Sequence, residues 1–114
     1  MNVADTLIQT ALLGEAVDNG PAPIFVADET RRYVAVNRAA CDLLGYTREE
    51  LLALRVDDVA PNIPRWEEMR SNGSLAGTAD LKRKDGTMVP FSYIAGETVV
   101  AGMPVYVSVG SGSD

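Results

Sequence analysis

Tyr33-Val34-Ala35-Val36-Asn37-Arg38-Ala39-Ala40-Cys41-Asp42-Leu43-Leu44-Gly45-Tyr46-Thr47-Arg48-Glu49-Glu50-Leu51-Leu52 reads as a strand running into two short helices with no linker between them. Tyr33 to Val36 is β-branched or aromatic at three of four positions and favours a pleated backbone. Asn37 then offers a side-chain carbonyl to the free amides of a helix start. Ala40, Leu43 and Leu44 follow at i, i+3, i+4 and form one apolar stripe. Gly45 stands where a helix ends with a residue in the left-handed region, and Tyr46 can fold back on the last turn. Thr47 with Glu50 three residues later is a capping box opening a second helix that carries Leu51, Leu52 and Leu54.

Outward from this stretch, the apolar period tells helix from strand. Val3 to Val17 has helical spacing, with Val3, Ala4, Leu7, Ile8, Ala11 and Leu12 on one half of the wheel and Asn2, Asp5, Thr6, Gln9 and Thr10 on the other. The phase then changes. Leu13, Ala16 and Val17 fall on the opposite side, as a separate patch suited to docking on the domain's own sheet. Asn19-Gly20-Pro21-Ala22-Pro23 ends the helix. Ile24 to Ala27 is a first strand, Asp28 to Arg32 a polar turn, and the strand at Tyr33 completes a hairpin. Arg55 to Asn62 is a one-turn segment with Val56 and Val59 as core contacts. Pro64 suits the first turn of a helix over Arg65 to Arg70, with Trp66 and Met69 on one face.

From Leu75 the period becomes two. Leu75, Gly77, Ala79 and Leu81 alternate with polar or small residues, and Asp85-Gly86 makes a hairpin turn. Val89, Phe91, Tyr93 and Ala95 share a face of the next strand, where Pro90 requires a broken or edge-like ladder. Ala101 to Pro104 turns into a last strand, Val105 to Val109, before a flexible end. Five strands with helices between the second and third predict an α+β domain, one antiparallel sheet with short helices on one face. The expected organisation is an amphipathic helix over residues 1–19, a domain over 20–110 and a tail over 111–114.

Two segments carry a resemblance. Val36-Asn37-Arg38-Ala39-Ala40 with Leu44-Gly45-Tyr46-Thr47-Arg48-Glu49-Glu50-Leu51 is similar to the front half of a PAS domain. Arg83-Lys84-Asp85-Gly86-Thr87-Met88-Val89-Pro90-Phe91 resembles the PAS hairpin between the third and fourth strands. Together they span roughly Pro21 to Val109. The resemblance implies the PAS strand order 2-1-5-4-3, a sensory or regulatory role, and an output domain elsewhere in a longer protein. The chain has Val109-Gly110-Ser111 where the family usually continues through Asp-Ile-Thr into a connecting helix.

Composition narrows the chemistry. The chain has 114 residues, a net charge of −6, one cysteine and no histidine. That length supports one core burying roughly two thirds of the unfolded chain's surface. The acidic balance argues against a nucleic-acid footprint, which needs a basic face. One cysteine forbids an internal disulfide and makes a cytoplasmic location the default. No apolar run nears the ~20 residues of a membrane span, so no membrane contact is expected. Without histidine, Ser-His-Asp and Cys-His arrangements and histidine-ligated metal are excluded. The acidic pairs Glu49-Glu50, Asp57-Asp58 and Glu67-Glu68 read as solvated faces, so no catalytic residue is assigned.

Cofactor expectations follow from the resemblance. Haem-binding PAS domains usually use a histidine on the helix that here holds Trp66 and Met69, and this chain has none. Light-sensing flavin members use a cysteine in an Asn-Cys-Arg-Phe-Leu-Gln motif, and Arg55 to Pro61 has no cysteine. No cofactor is therefore expected, and a small apolar ligand is the candidate occupant. Phe25, Val36, Leu44, Trp66, Met69, Leu81, Phe91, Tyr93, Tyr106 and Ser108 are the candidate lining, with Tyr93, Tyr106 and Ser108 its polar members. The alternative is a filled core and a pure protein-interaction module. The apolar arc Val3, Leu7, Ile8, Ala11 and Leu12 has no evident partner within the chain and is the candidate homodimer interface.

Overall fold

The structure, a computed structural model, describes residues 3–61 and 73–112. Its elements are α1 (Val3–Asn19), β1 (Ile24–Ala27), β2 (Tyr33–Val36), α2 (Arg38–Leu44), α3 (Arg48–Leu52), α4 (Val56–Val59), β3 (Ser74–Lys82), β4 (Met88–Val100) and β5 (Met103–Gly112). The strands form one antiparallel sheet in the order β2-β1-β5-β4-β3. The expected helix over Arg65–Arg70 lies outside the described residues.

The opening stretch folds as its caps dictate. Asn37 is extended and its Oδ1 accepts from the Ala40 amide at 3.1 Å, starting α2. Gly45 ends α2 at φ 79°, and its amide donates to the Cys41 carbonyl. The Thr47 side chain accepts from the Glu50 amide while Glu50 accepts from the Thr47 amide, the reciprocal pair that opens α3. Ala40, Leu44 and Leu51 are sealed from solvent, so both caps hold helices that bury one face.

Asn37 does more than cap. It is the one buried polar residue among those described, 4% exposed. Its Oδ1 also accepts from the Ile24 amide at 2.9 Å. Its Nδ2 donates to the carbonyls of Val17 and Ala22, both at 2.8 Å. One amide side chain thus joins the end of α1, the turn after it, the start of β1 and the start of α2. Both faces of the amide are used, which balances its burial.

The two segments that carried the family resemblance meet in space. The β3–β4 turn is closed by Asp85, whose carboxylate accepts from the Thr87 amide at 2.9 Å and its hydroxyl at 2.6 Å. That turn lies against the end of α2. The Lys84 amide donates to the Leu44 carbonyl at 2.9 Å, and Arg83 Nε donates to the Leu43 carbonyl at 3.1 Å. Carbonyls left over at a helix C-terminus are thereby satisfied, one of them by a cation. Pro90 lies opposite Asp80 of β3, and the described β4–β5 ladder starts at the next residue, Phe91.

Two expectations need correction. Leu13, Ala16 and Val17 do not dock on the sheet. All three are exposed, Leu13 at 66%. Near its C-terminal end α1 is joined to the domain by the Val17 carbonyl on Asn37 and the Asp18 carboxylate on Arg48. The last strand is also longer than Val105–Val109. Ser111 and Gly112, expected in a flexible tail, pair with Ser92 and Phe91. Glycine at positions 110 and 112 permits this. A Cβ on Gly110 would overlap the Ser92 carbonyl, and one on Gly112 would overlap Leu43.

Asn37→Ala orphans two amides and two carbonyls at once, and an expected loss of about 3 kcal/mol follows. Thr47→Ala removes one cap acceptor and should cost about 1 kcal/mol. Asn37→Asp keeps the acceptor but sets a carboxylate against two carbonyls, so its folded pKa is raised. Its stability should therefore rise as pH falls toward the ordinary Asp range near about 4. Urea midpoints across pH check all three. Equal midpoints for Asn37→Ala and Thr47→Ala would show that the extra bonds contribute nothing.

Candidate functional site

The inner sheet face, β2, α4 and the residue after it line a cavity of about 70 Å³. Strand alternation builds its walls. Phe25 and Ala27 come from β1, Leu75, Ala79 and Leu81 from β3, Phe91, Tyr93 and Ala95 from β4, and Tyr106 and Ser108 from β5, with Val107 at the border. Ladder register brings them together: Ala27 lies opposite Tyr106, Phe25 opposite Ser108, Ser108 opposite Ala95, and Ala79 opposite Phe91. Tyr33 of β2, Val56 of α4 and Ala60 close the other side. The Tyr33 amide donates to the Leu54 carbonyl at 3.2 Å, and the Val56 amide to the Arg31 carbonyl at 2.7 Å. These bonds hold the helical side against β2.

The aromatic rings form a connected set. Phe25 meets Phe91 edge-on, with centroids 5.7 Å apart at 84°. It meets Tyr33 at 5.6 Å and 41°, and Phe91 stacks on Tyr93 at 6.0 Å and 14°. Such pairs add roughly 1 kcal/mol each beyond their burial and hold the rings in place. Burial, reinforced by the nearby Asp58 and Asp57 carboxylates, pushes the Tyr33 phenol above its ordinary pKa. It is a neutral donor throughout the physiological range.

Six of the ten candidate lining residues do line this cavity: Phe25, Leu81, Phe91, Tyr93, Tyr106 and Ser108. Val36 and Leu44 are buried in the same core without reaching the cavity wall. Val36 is followed at once by the turn into α2, and Leu44 packs under the β3–β4 turn. Trp66 and Met69 lie outside the described residues. Sequence reading passed over Tyr33 and the four alanines Ala27, Ala60, Ala79 and Ala95 because it sought large side chains. The cavity exists where inward positions carry small ones. An alanine at an inward strand position, flanked by aromatics two residues away, was the available signal.

Cys41 is half-buried and packed against the core, and burial pushes its thiol pKa up. It is inert by environment rather than activated. On α1, Leu7 and Ile8 are 65% and 58% exposed, and Ala11 and Leu12 are exposed beside them, so this part of the candidate dimer arc is open in the single chain. Nothing is described of the Val3 side chain. Among the described residues, no helix is long and apolar enough to cross a membrane.

A family model described as "PAS domain" matches residues 10–77. No curated protein matches the chain. Among solved structures, a PAS domain from a two-component sensor histidine kinase superposes with a TM-score of 0.86 at 15% identity, covering 95% of this chain and 99% of that one. The PAS domain of an HTR-like protein from Haloarcula marismortui gives 0.79 at 17% identity, covering 94% and 99%. An RNA-binding light-oxygen-voltage receptor gives 0.80 at 18% identity, covering 98% of this chain but 35% of that one. At these identities the likeness is one of fold.

Equal insertions at two buried alanines should differ in sign or size. Ala95 lines the cavity and Ala40 sits fully buried in α2. Ala95→Leu adds three carbons into the void and should leave stability unchanged or raise it by about 1 kcal/mol. Ala40→Leu overpacks a filled site and should cost about 1–3 kcal/mol. Thermal and denaturant unfolding compare them, and equal losses would mean that the walls close without a void.

Proposed function

The chain belongs to the PAS domain family, and on that premise we propose that it is a non-catalytic sensory module of a bacterial-type signalling protein. It takes a small, largely apolar ligand into the cavity and passes the state of the cavity to an output domain of a longer protein. The observation that carries this reading is a cavity against the core whose described walls are almost wholly apolar. Ligand sites are characteristically concave and apolar with a few polar groups. Here those groups are the hydroxyls of Tyr33, Tyr93, Tyr106 and Ser108. Neither histidine nor a flavin-adduct cysteine motif is available, so the purified protein should be colourless. Native mass spectrometry before and after mild denaturation tests retention of a small ligand. Trp66 fluorescence, titrated with apolar metabolites, tests rebinding. No mass difference and no fluorescence response would favour the filled-core interaction module.

A second element of the reading concerns assembly. The exposure of Leu7, Ile8 and Leu12 along one helix favours a homodimer through α1. A twofold pair would bury the same residues from each copy. The cytoplasm is the proposed location, and neither nucleic acid nor membrane is a proposed partner of this domain. Light scattering on the full chain and on a form lacking residues 1–12 decides the dimer. A dimer that becomes monomeric on deletion is expected. A full chain that is monomeric at high concentration would exclude it, and a deleted form that stays dimeric would place the interface elsewhere.

A further inference from the structure

Resting on the reading of the cavity as a ligand site, we propose that its occupant is a small neutral molecule of about three non-hydrogen atoms, apolar at one end and hydrogen-bonding at the other, such as a short-chain alcohol or ketone. Size comes first. A cavity of about 150 Å³ accepts benzene, with six carbons. Half that volume, about 70 Å³ here, accepts about half as many atoms. An indole or a fatty chain does not fit without displacing the aromatic set that forms the walls.

Charge comes next. None of the described residues lining the cavity is Asp, Glu, Lys or Arg. A carboxylate entering would lose its water and meet no positive charge among the described walls, while Asp57 and Asp58 lie near enough to raise the Tyr33 phenol pKa, so a carboxylate of the same size is rejected. Water itself is a poor occupant. A buried water needs two to four polar partners, and these walls offer few. The void therefore stays available to a molecule that is mostly apolar.

The polar end has a receptor. Tyr33 and Tyr93 are 5% and 8% exposed, and neither phenol hydroxyl has a hydrogen-bond partner among the described residues. Buried tyrosines usually have one. A ligand oxygen at either hydroxyl supplies what the protein does not. With so few atoms the contact is weak: the best tiny ligands gain a bounded energy per atom, which holds this one to about millimolar affinity. Such a site responds to an abundant small molecule rather than to a trace effector.

The test follows the alanine methyl resonances of the full chain by NMR as 1-propanol, sodium propionate or indole is added. Propanol should shift the methyls of Ala27, Ala79 and Ala95 saturably in the millimolar range, and propionate and indole should not. Ala95→Leu should abolish the response while keeping the folded spectrum. Tyr93→Phe and Tyr33→Phe are compared, and at least one should weaken propanol about fivefold, the worth of one hydrogen bond. Tighter saturation by indole would overturn the size assignment and leave the sensory reading standing. Equal binding of propionate would overturn the neutrality, and two unaffected phenylalanine variants would overturn the hydrogen bond. If none of the probes moves these methyls and Ala95→Leu is as destabilised as Ala40→Leu, the ligand site itself falls.

Discussion

Four hydrogen bonds to one buried amide organise this domain. Asn37 accepts from Ile24 and Ala40 and donates to Val17 and Ala22. Each bond has a modest net value, but each partner left unmade inside the fold costs more than the bond itself contributes. The residue fixes β1 against the turn that leads into α2, and so fixes which faces of β1 and β2 point inward. Phe25 and Ala27 face the cavity by virtue of that register. Aspartate, serine or threonine can cap a helix as well as asparagine can. None of them, ionised or not, offers two acceptor bonds and two donor bonds in one plane, so the second pair of partners explains the residue.

A second constraint acts at the far end of α2. The β3–β4 turn has no room to move independently, since its Arg83 and Lys84 occupy the helix's leftover carbonyls. Lys84 Nζ also reaches the Glu50 carboxylate at 2.6 Å, a bond that holds the Glu50 carboxyl below its ordinary pKa. That exposed pair contributes little stability by itself. Its position matters more, because it sets the turn against α3 as well as α2. The inner face of β3 and β4 is thereby presented to the same cavity as β1.

Much of this was legible from residue order. The Asn37, Gly45 and Thr47 caps each depend on local chemistry, and local chemistry is what a sequence displays. The inward face Val89, Phe91, Tyr93, Ala95 followed from period two, and burial agrees at every one of those positions. The two extra partners of Asn37 were not legible, since Val17 and Ala22 are remote from any capping pattern. The true extent of β5 was hidden because glycine and serine signal flexibility, whereas here glycine allows close approach of β4 and of Leu43. The placement of α1 was misread because a wheel shows which residues share a side and not what lies opposite. The cavity wall was half legible: large aromatics announced themselves, while the alanines that create the space did not.

Residue-resolved amide hydrogen exchange tests the organising role of Asn37 most directly. The Ile24 and Ala40 amides both donate to its side chain, one at the start of an edge-proximal strand and one in the first turn of a seven-residue helix. Helix first turns and strand ends ordinarily exchange by local fraying. The account predicts that these two amides exchange as slowly as the central β4–β5 amides, through global unfolding. Exchange of Ile24 and Ala40 at the rate of their frayed neighbours would contradict it.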